Sequence, residues 1–191
     1  MDKKDLLELI DDTIKSIWKN EIKYDYDDKW LLKEDTLKNA FYFHLRTKLG
    51  KLFDKNDVRI FTEFTDDKFK HSGYCPDMVI AKMEFDKDEK YFGNCVKEIL
   101  CVIEFKFKNG YYPSNTIYED YQKLHNYVDD LKIGCKLYMA TIWEYEDDPT
   151  NWERKNSAWA KNRLTELNAS IKRNTTDMQF YIFEHKDDKI N

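Results

Sequence analysis

The sequence predicts an α/β domain with a mixed central sheet flanked by helices, and three observations predict it. From Cys101 to Lys108 apolar and polar residues alternate strictly, with Cys101, Ile103, Phe105 and Phe107 on one face and Val102, Glu104, Lys106 and Lys108 on the other. That is the period of a strand with one buried face, so Glu104 and Lys106 are expected to point together away from the core. Residues 78–81 are a short apolar run opened by Pro76-Asp77, and a proline is tolerated where a strand begins because its missing N–H does no harm there. Amphipathic helices stand on either side, marked by Leu37, Ala40, Phe41, Leu45 and Leu49 in one and Tyr118, Tyr121, Leu124, Tyr127 and Val128 in the other, spaced mostly three and four apart.

In chain order, the first element is a helix from 4 to about 18, with Leu6, Leu7, Leu9, Ile10, Ile14 and Ile17 as a stripe that covers the sheet or a partner. The next helix opens at Lys33 and runs to about Leu49, with Gly50 as its stop. Strands follow at 58–64, from Pro76 to 81, and at 99–108; Asn109-Gly110 then makes a turn. A helix from 114 or 115 to about 131 precedes a strand at 135–143, and a helix at 158–172 with a strand at 178–183 completes the fold.

A chain of 191 residues is one domain by size, spanning 1–191, and can bury a sizeable core. Hydrophobic residues at 41% and aromatic residues at 16% argue for a globule rather than disorder. No apolar run approaches the ~18 residues of a membrane span, and Met1-Asp2-Lys3-Lys4-Asp5 does not open a secretion signal, so a cytoplasmic protein without a membrane partner is expected. Cys75, Cys95, Cys101 and Cys135 form no CxxC pair, which does not suggest a zinc or iron–sulfur site; three of them lie in or beside expected strands, where a free cysteine is usually a small buried hydrophobe. The histidines, His44, His71, His125 and His185, are scattered.

The chemistry is concentrated in two strands. Glu104 and Lys106, two apart on one strand, sit about 6–7 Å apart on the same side. If the strand opened by Pro76 is a neighbour, Asp77 and Glu104 can share one divalent cation, and hard carboxylate oxygens suit Mg²⁺ or Mn²⁺. Lys106 would then position or deprotonate a water, or stabilise charge on a phosphate. Spacing alone is uninformative, because an acid two before a lysine recurs at Asp2/Lys4, Asp66/Lys68, Asp130/Lys132 and Glu184/Lys186. Glu184/Lys186 is the nearest rival, since it also ends a strand-like run, but no Pro-Asp strand precedes it.

Pro76-Asp77, followed 27 positions later by Glu104-Phe105-Lys106, makes the chain resemble the PD-(D/E)xK nuclease superfamily, also called restriction-endonuclease-like. The resemblance covers roughly residues 31–144. It implies a restriction-endonuclease-like αβββαβ core, with the N-terminal helix and the C-terminal helix and strand as additions. It also implies a Mg²⁺- or Mn²⁺-dependent nuclease with catalytic Asp77, Glu104 and Lys106. Asp77, Glu104 and the backbone carbonyl of Phe105 would hold the metal, and Lys106 would serve the water. Relatives often place further acids where Glu34 and Glu63 stand, and a glutamine or lysine facing the site where Gln122 and Lys123 stand. Glu34 could equally offset only its helix dipole, Glu63 could be a solvated strand residue, and Gln122 and Lys123 could be surface residues.

The implied substrate is DNA, with RNA not excluded. The implied partners are nucleic acid and a protein partner or a second copy in a homodimer, and the implied settings are defence, repair or mobile-element maintenance. The alternative is a catalytically silent nuclease-fold protein that binds nucleic acid or assembles a complex. A net charge of −5 opposes strong binding to a polyanion, so only a local patch of Lys82, Lys106, Lys108 and Lys123 would attract one. The acidic runs at 25–28 and 144–148 read as solvated surface.

Overall fold

The computed structural model describes residues 1–65, 69, 75–109, 115–131, 134–146, 157–172 and 175–186; His71, the Gly110 half of the turn and the end of the second acidic run lie outside these. The helices are α1 (Lys3–Ile17), α2 (Lys23–Asp27), α3 (Glu34–Lys55) and α4 (Asn115–Asp130). The strands are β1 (Val58–Thr62), β2 (Met78–Met83), β3 (Val96–Asn109), β4 (Lys136–Glu146), β5 (Leu164–Ile171) and β6 (Met178–Glu184). All six form one sheet in the order β1-β2-β3-β4-β5-β6. β1, β2 and β3 pair antiparallel, β4 lies parallel to β3, β5 parallel to β4, and β6 antiparallel to β5. The sheet is therefore mixed, and α3, β1, β2, β3, α4 and β4 give the αβββαβ order. No helix among the described residues is long and apolar enough to cross a membrane.

Alternation within β3 divides the core in two. Cys101, Ile103, Phe105 and Phe107 join Leu6, Ile10 and Ile14 of α1 and Leu37, Phe41 and Leu45 of α3 under one face. Val102 joins Ile117, Tyr121, Leu124 and Tyr127 of α4 under the other. The N-terminal helix thus covers the sheet: Tyr138 Oη donates to Asp11 Oδ1 at 2.7 Å, and Lys15 pairs with Glu184. It continues through a π-helical turn, Trp18–Ile22, into α2. Trp18 and Ile22 are both fully buried, and the Trp18 ring lies 5.1 Å from that of Phe180.

Gly50 does not end α3. The helix runs on to Lys55 because Phe53, fully buried, extends the apolar stripe by another turn, and burying a phenylalanine outweighs the roughly 0.5–1 kcal/mol cost of a glycine in a helix. A Cβ at Gly50 would meet only Arg46 Cδ, at 3.9 Å. Gly50→Ala is therefore expected to raise stability by about 0.5–1 kcal/mol, read as a higher urea midpoint with an unchanged slope.

The expected C-terminal helix at 158–172 is corrected. Residues 157–163 make turns, and Leu164–Ile171 is the strand β5. Leu164, Leu167 and Ile171 mimic helical spacing, but every residue from 164 to 170 is buried, as a strand flanked on both sides and covered on both faces requires. Its polar residues are accommodated inside: His185 Nε2 meets Glu166 Oε1 at 2.7 Å, and Asn168 Nδ2 donates to Glu166 Oε2 at 3.1 Å. Pairing on both edges overrides local propensity.

Candidate active site

The antiparallel β1–β3 meander stops short of the carboxyl end of β3. Pairing of β2 with β3 ends at Met78 opposite Ile103. Two residues beyond, the Phe105 N–H donates to Asp77 Oδ2 at 2.8 Å instead of to a strand. In such a ladder the N–H and C=O of one residue leave on the same side, so the Phe105 carbonyl also faces the Asp77 edge. Glu104 projects from the α4 face of β3, 1% exposed, and accepts from Tyr127 Oη at 2.9 Å.

The Asp77 and Glu104 carboxyl groups are near enough to interact electrostatically. Burial first, and then the Asp77 charge, push the Glu104 carboxyl well above the usual carboxylate range, while Lys123 and the Tyr127 hydroxyl pull the other way. Two carboxylates near one another in a low-dielectric site repel unless a proton or a cation relieves them. In the metal-free protein the unfolded chain releases the Glu104 proton at lower pH than the folded one. Stability is therefore expected to fall as pH rises above the ordinary carboxylate range toward the raised folded value. Glu104→Gln should flatten that slope, measured as melting temperature against pH in EDTA.

Lys106 is held from two sides. Its Nζ lies 2.9 Å from Asp120 Oδ2 and 3.2 Å from Glu34 Oε2. Burial pulls its pKa down, but Asp120 and Glu34 outweigh that and leave it above the ordinary lysine value. Lys106 is thus a fixed ammonium rather than a free base. The other oxygen of Asp120 takes Lys123 Nζ at 2.7 Å, and Glu104 also attracts that lysine. On the far side Lys38, from α3, pairs with Glu63 and lies 3.5 Å from Asp77 Oδ1. Glu63 sits just past β1 with φ of 49°, and its N–H donates to the Asp77 carbonyl at 3.0 Å.

Of the residues named from sequence, Asp77, Glu104, Lys106, Glu34, Glu63 and Lys123 converge and Gln122 does not. On α4 it is the face of Asp120, Lys123 and Tyr127 that meets the site, at i, i+3 and i+7, while Gln122 lies about 200° around the helix from Asp120 and is exposed. Lys82 also falls outside the expected basic patch: it sits near the opposite end of β2, bonded to the Asn56 carbonyl at 2.6 Å. The rival pair Glu184/Lys186 is a surface contact of 2.5 Å in which Glu184 also meets Lys15. Lys38, Asp120 and Tyr127 were not foreseen as site residues. Lys38 follows Glu34 by one helical turn, and that spacing was a legible signal.

Five carboxyl groups, Glu34, Glu63, Asp77, Glu104 and Asp120, thus surround three ammonium groups, Lys38, Lys106 and Lys123. Among the described residues, these fully ionised groups carry two negative charges in excess, a deficit one divalent cation would fill. Among the described residues no three carboxylate, imidazole or thiol side chains converge as a ready metal cage. The Asp77–Glu104 pair with the Phe105 carbonyl suits Mg²⁺ nonetheless, because that ion binds through one or two carboxylates and keeps several waters.

No family model matches the chain, and no curated protein matches it. Among solved structures, the fold is similar to that of NucC from P. aeruginosa ATCC27853 in its cAAA-bound form. The likeness has a TM-score of 0.45 at 10% sequence identity and covers 97% of this chain and 86% of that one. A likeness of that degree says nothing about what this chain binds or does.

Proposed function

We propose that this chain is a metal-dependent nuclease that hydrolyses phosphodiester bonds of DNA, with RNA as a second substrate class, acting in the cytoplasm. The observation that carries the proposal is the buried Glu104 carboxyl beside the half-buried Asp77, with Lys106 two residues beyond Glu104 on β3. Asp77, Glu104 and the Phe105 carbonyl would hold Mg²⁺ or Mn²⁺. When bound, the cation supplies Lewis-acid polarisation of a phosphate and a more acidic water.

The chain's own residues supply the remainder. Tyr127 fixes Glu104 Oε1 and stabilises its ionised form. The Phe105 N–H fixes Asp77 Oδ2. Asp120 and Glu34 hold the Lys106 ammonium beside the pair, where it would offset charge developing on the phosphate. Lys123 tempers the negative field at Glu104.

Incubating the protein with single- and double-stranded DNA and RNA in Mg²⁺, Mn²⁺ or EDTA tests this, with Glu104→Ala and Lys106→Ala alongside. Metal-dependent cleavage lost in both variants supports the nuclease. Equal cleavage by wild type and variants would trace the activity to a contaminant. The second reading, a silent nuclease-fold protein that binds nucleic acid or assembles with a protein partner or second copy, is favoured by the double ion pairing of Lys106. Nucleic-acid binding without cleavage in any metal would move that reading ahead.

A further inference from the structure

The segment between α2 and α3 reads Lys29-Trp30-Leu31-Leu32-Lys33. Leu31 is buried in the core, yet Trp30 and Leu32 are 71% and 68% exposed, against the tendency of large apolar groups to leave water. The segment is held firmly. On one side Tyr26 Oη donates to Glu144 Oε1 at 2.8 Å, near the carboxyl end of β4, and the Trp30 N–H donates to the Asp25 carbonyl at 2.8 Å. On the other side Thr36 Oγ1 accepts from the Leu32 and Lys33 N–H groups at 2.9 and 3.0 Å. The next residue, Glu34, contacts Lys106. Trp30 therefore stands four residues from an acid that touches the candidate catalytic lysine, at most about 14 Å along the chain.

Charge narrows what this surface can hold. Duplex binding draws its affinity from many phosphate contacts. Here the net charge is −5, and the site itself has more carboxyls than lysines. Stacking on an aromatic face adds affinity beside the phosphate contacts that the lysines make, and it needs bases free of a partner strand. We propose that the Trp30–Leu32 segment is a stacking lip that holds an unpaired base beside the phosphate at Lys106, which makes single-stranded nucleic acid the substrate class. The position of that phosphate rests on the nuclease reading; the lip itself rests on the exposed, anchored side chains.

The test measures fluorescence anisotropy of a short labelled DNA oligonucleotide in EDTA, where no turnover occurs. The probes are the single strand, its duplex, and the same strand with abasic positions, against wild type, Trp30→Ala and Trp30→Phe. Wild type should prefer the intact single strand. Trp30→Ala should weaken that binding by about tenfold or more, Trp30→Phe should keep most of it, and abasic positions should weaken binding to wild type to a similar degree. Single-strand binding equal in wild type and Trp30→Ala, equal binding of abasic and intact strands, or a preference for duplex would each overturn the lip. Cleavage assays in Mg²⁺ separate the two readings. Cleavage with Trp30-independent binding removes the lip and leaves the nuclease. Trp30-dependent binding with no cleavage of any substrate keeps the lip and removes the nuclease.

Discussion

Lys106→Ala is expected to lower the rate of metal-dependent cleavage by about 10²–10³-fold, the loss that follows removal of one preorganised charge from a reacting centre. The effect should fall on kcat with KM changed far less, because an ammonium that meets charge developing in the transition state contributes little to ground-state binding. Lys106→Gln separates charge from size and should be nearly as inactive, since Asp120 and Glu34 keep the native lysine protonated. The variant should still fold, because Asp120 keeps Lys123 at 2.7 Å on Oδ1, although its buried Oδ2 loses the Lys106 contact. Single-turnover rates beside thermal melts check both halves. An alanine variant with the wild-type single-turnover rate would mean that Lys106 never meets the phosphate and serves only to tie α3 and α4 to the sheet.

Phe41→Ala is expected to cost about 3–5 kcal/mol of stability, the range for emptying a buried phenylalanine site. Phe41 is fully buried in α3, and its ring meets that of Phe105 edge-on, with centroids 5.4 Å apart and planes at 64°. Such a pair adds about 0.5–1.5 kcal/mol beyond burial. Phe105 is also the residue between Glu104 and Lys106, and its N–H anchors Asp77. A cavity beneath it should loosen all three groups, so activity should fall further than the unfolded fraction explains. Phe41→Leu, which keeps most of the volume, should lose much less. Urea unfolding measures the first effect, and a cost under about 1 kcal/mol would remove Phe41 from the core.

β3 was expected to bury one face, but both are covered, since Glu104 on its polar face is 1% exposed. Strict alternation in β3 showed which side chains share a face, and Pro76 stands two residues before β2. Asp77 and Glu104 are legible from that pattern only together with the Pro-Asp and Glu-x-Lys motif, since the spacing recurs elsewhere in the chain. Residues that enter from helices were harder. Asp120 is 3% exposed and meets Lys106 only because α4 crosses back over the sheet between parallel β3 and β4, a contact between distant positions that no local pattern encodes. Tyr127 read as part of an apolar stripe because its ring is buried; its hydroxyl is what reaches Glu104. β5 was misread for the opposite reason. Its sequence is locally compatible with a helix, and only neighbours on both edges make a strand of it.

The π-helical turn at Trp18–Ile22 acts as a phase adjuster for everything that follows it. An α-helix advances about 100° per residue, and a single π turn absorbs one residue more than the α pitch allows. Trp18 and Ile22 on this turn are both buried, and the absorbed residue keeps Tyr26 at the azimuth where it meets Glu144. Straightening this turn into regular α-helix with no residue removed would swing Tyr26 by about 100° away from β4, whereas deleting the one absorbed residue would leave it in place. The cost of straightening would then appear far from the turn, as a loss of anchorage for the Trp30 segment, so the fold depends on the phase of this helix more than on its local propensity.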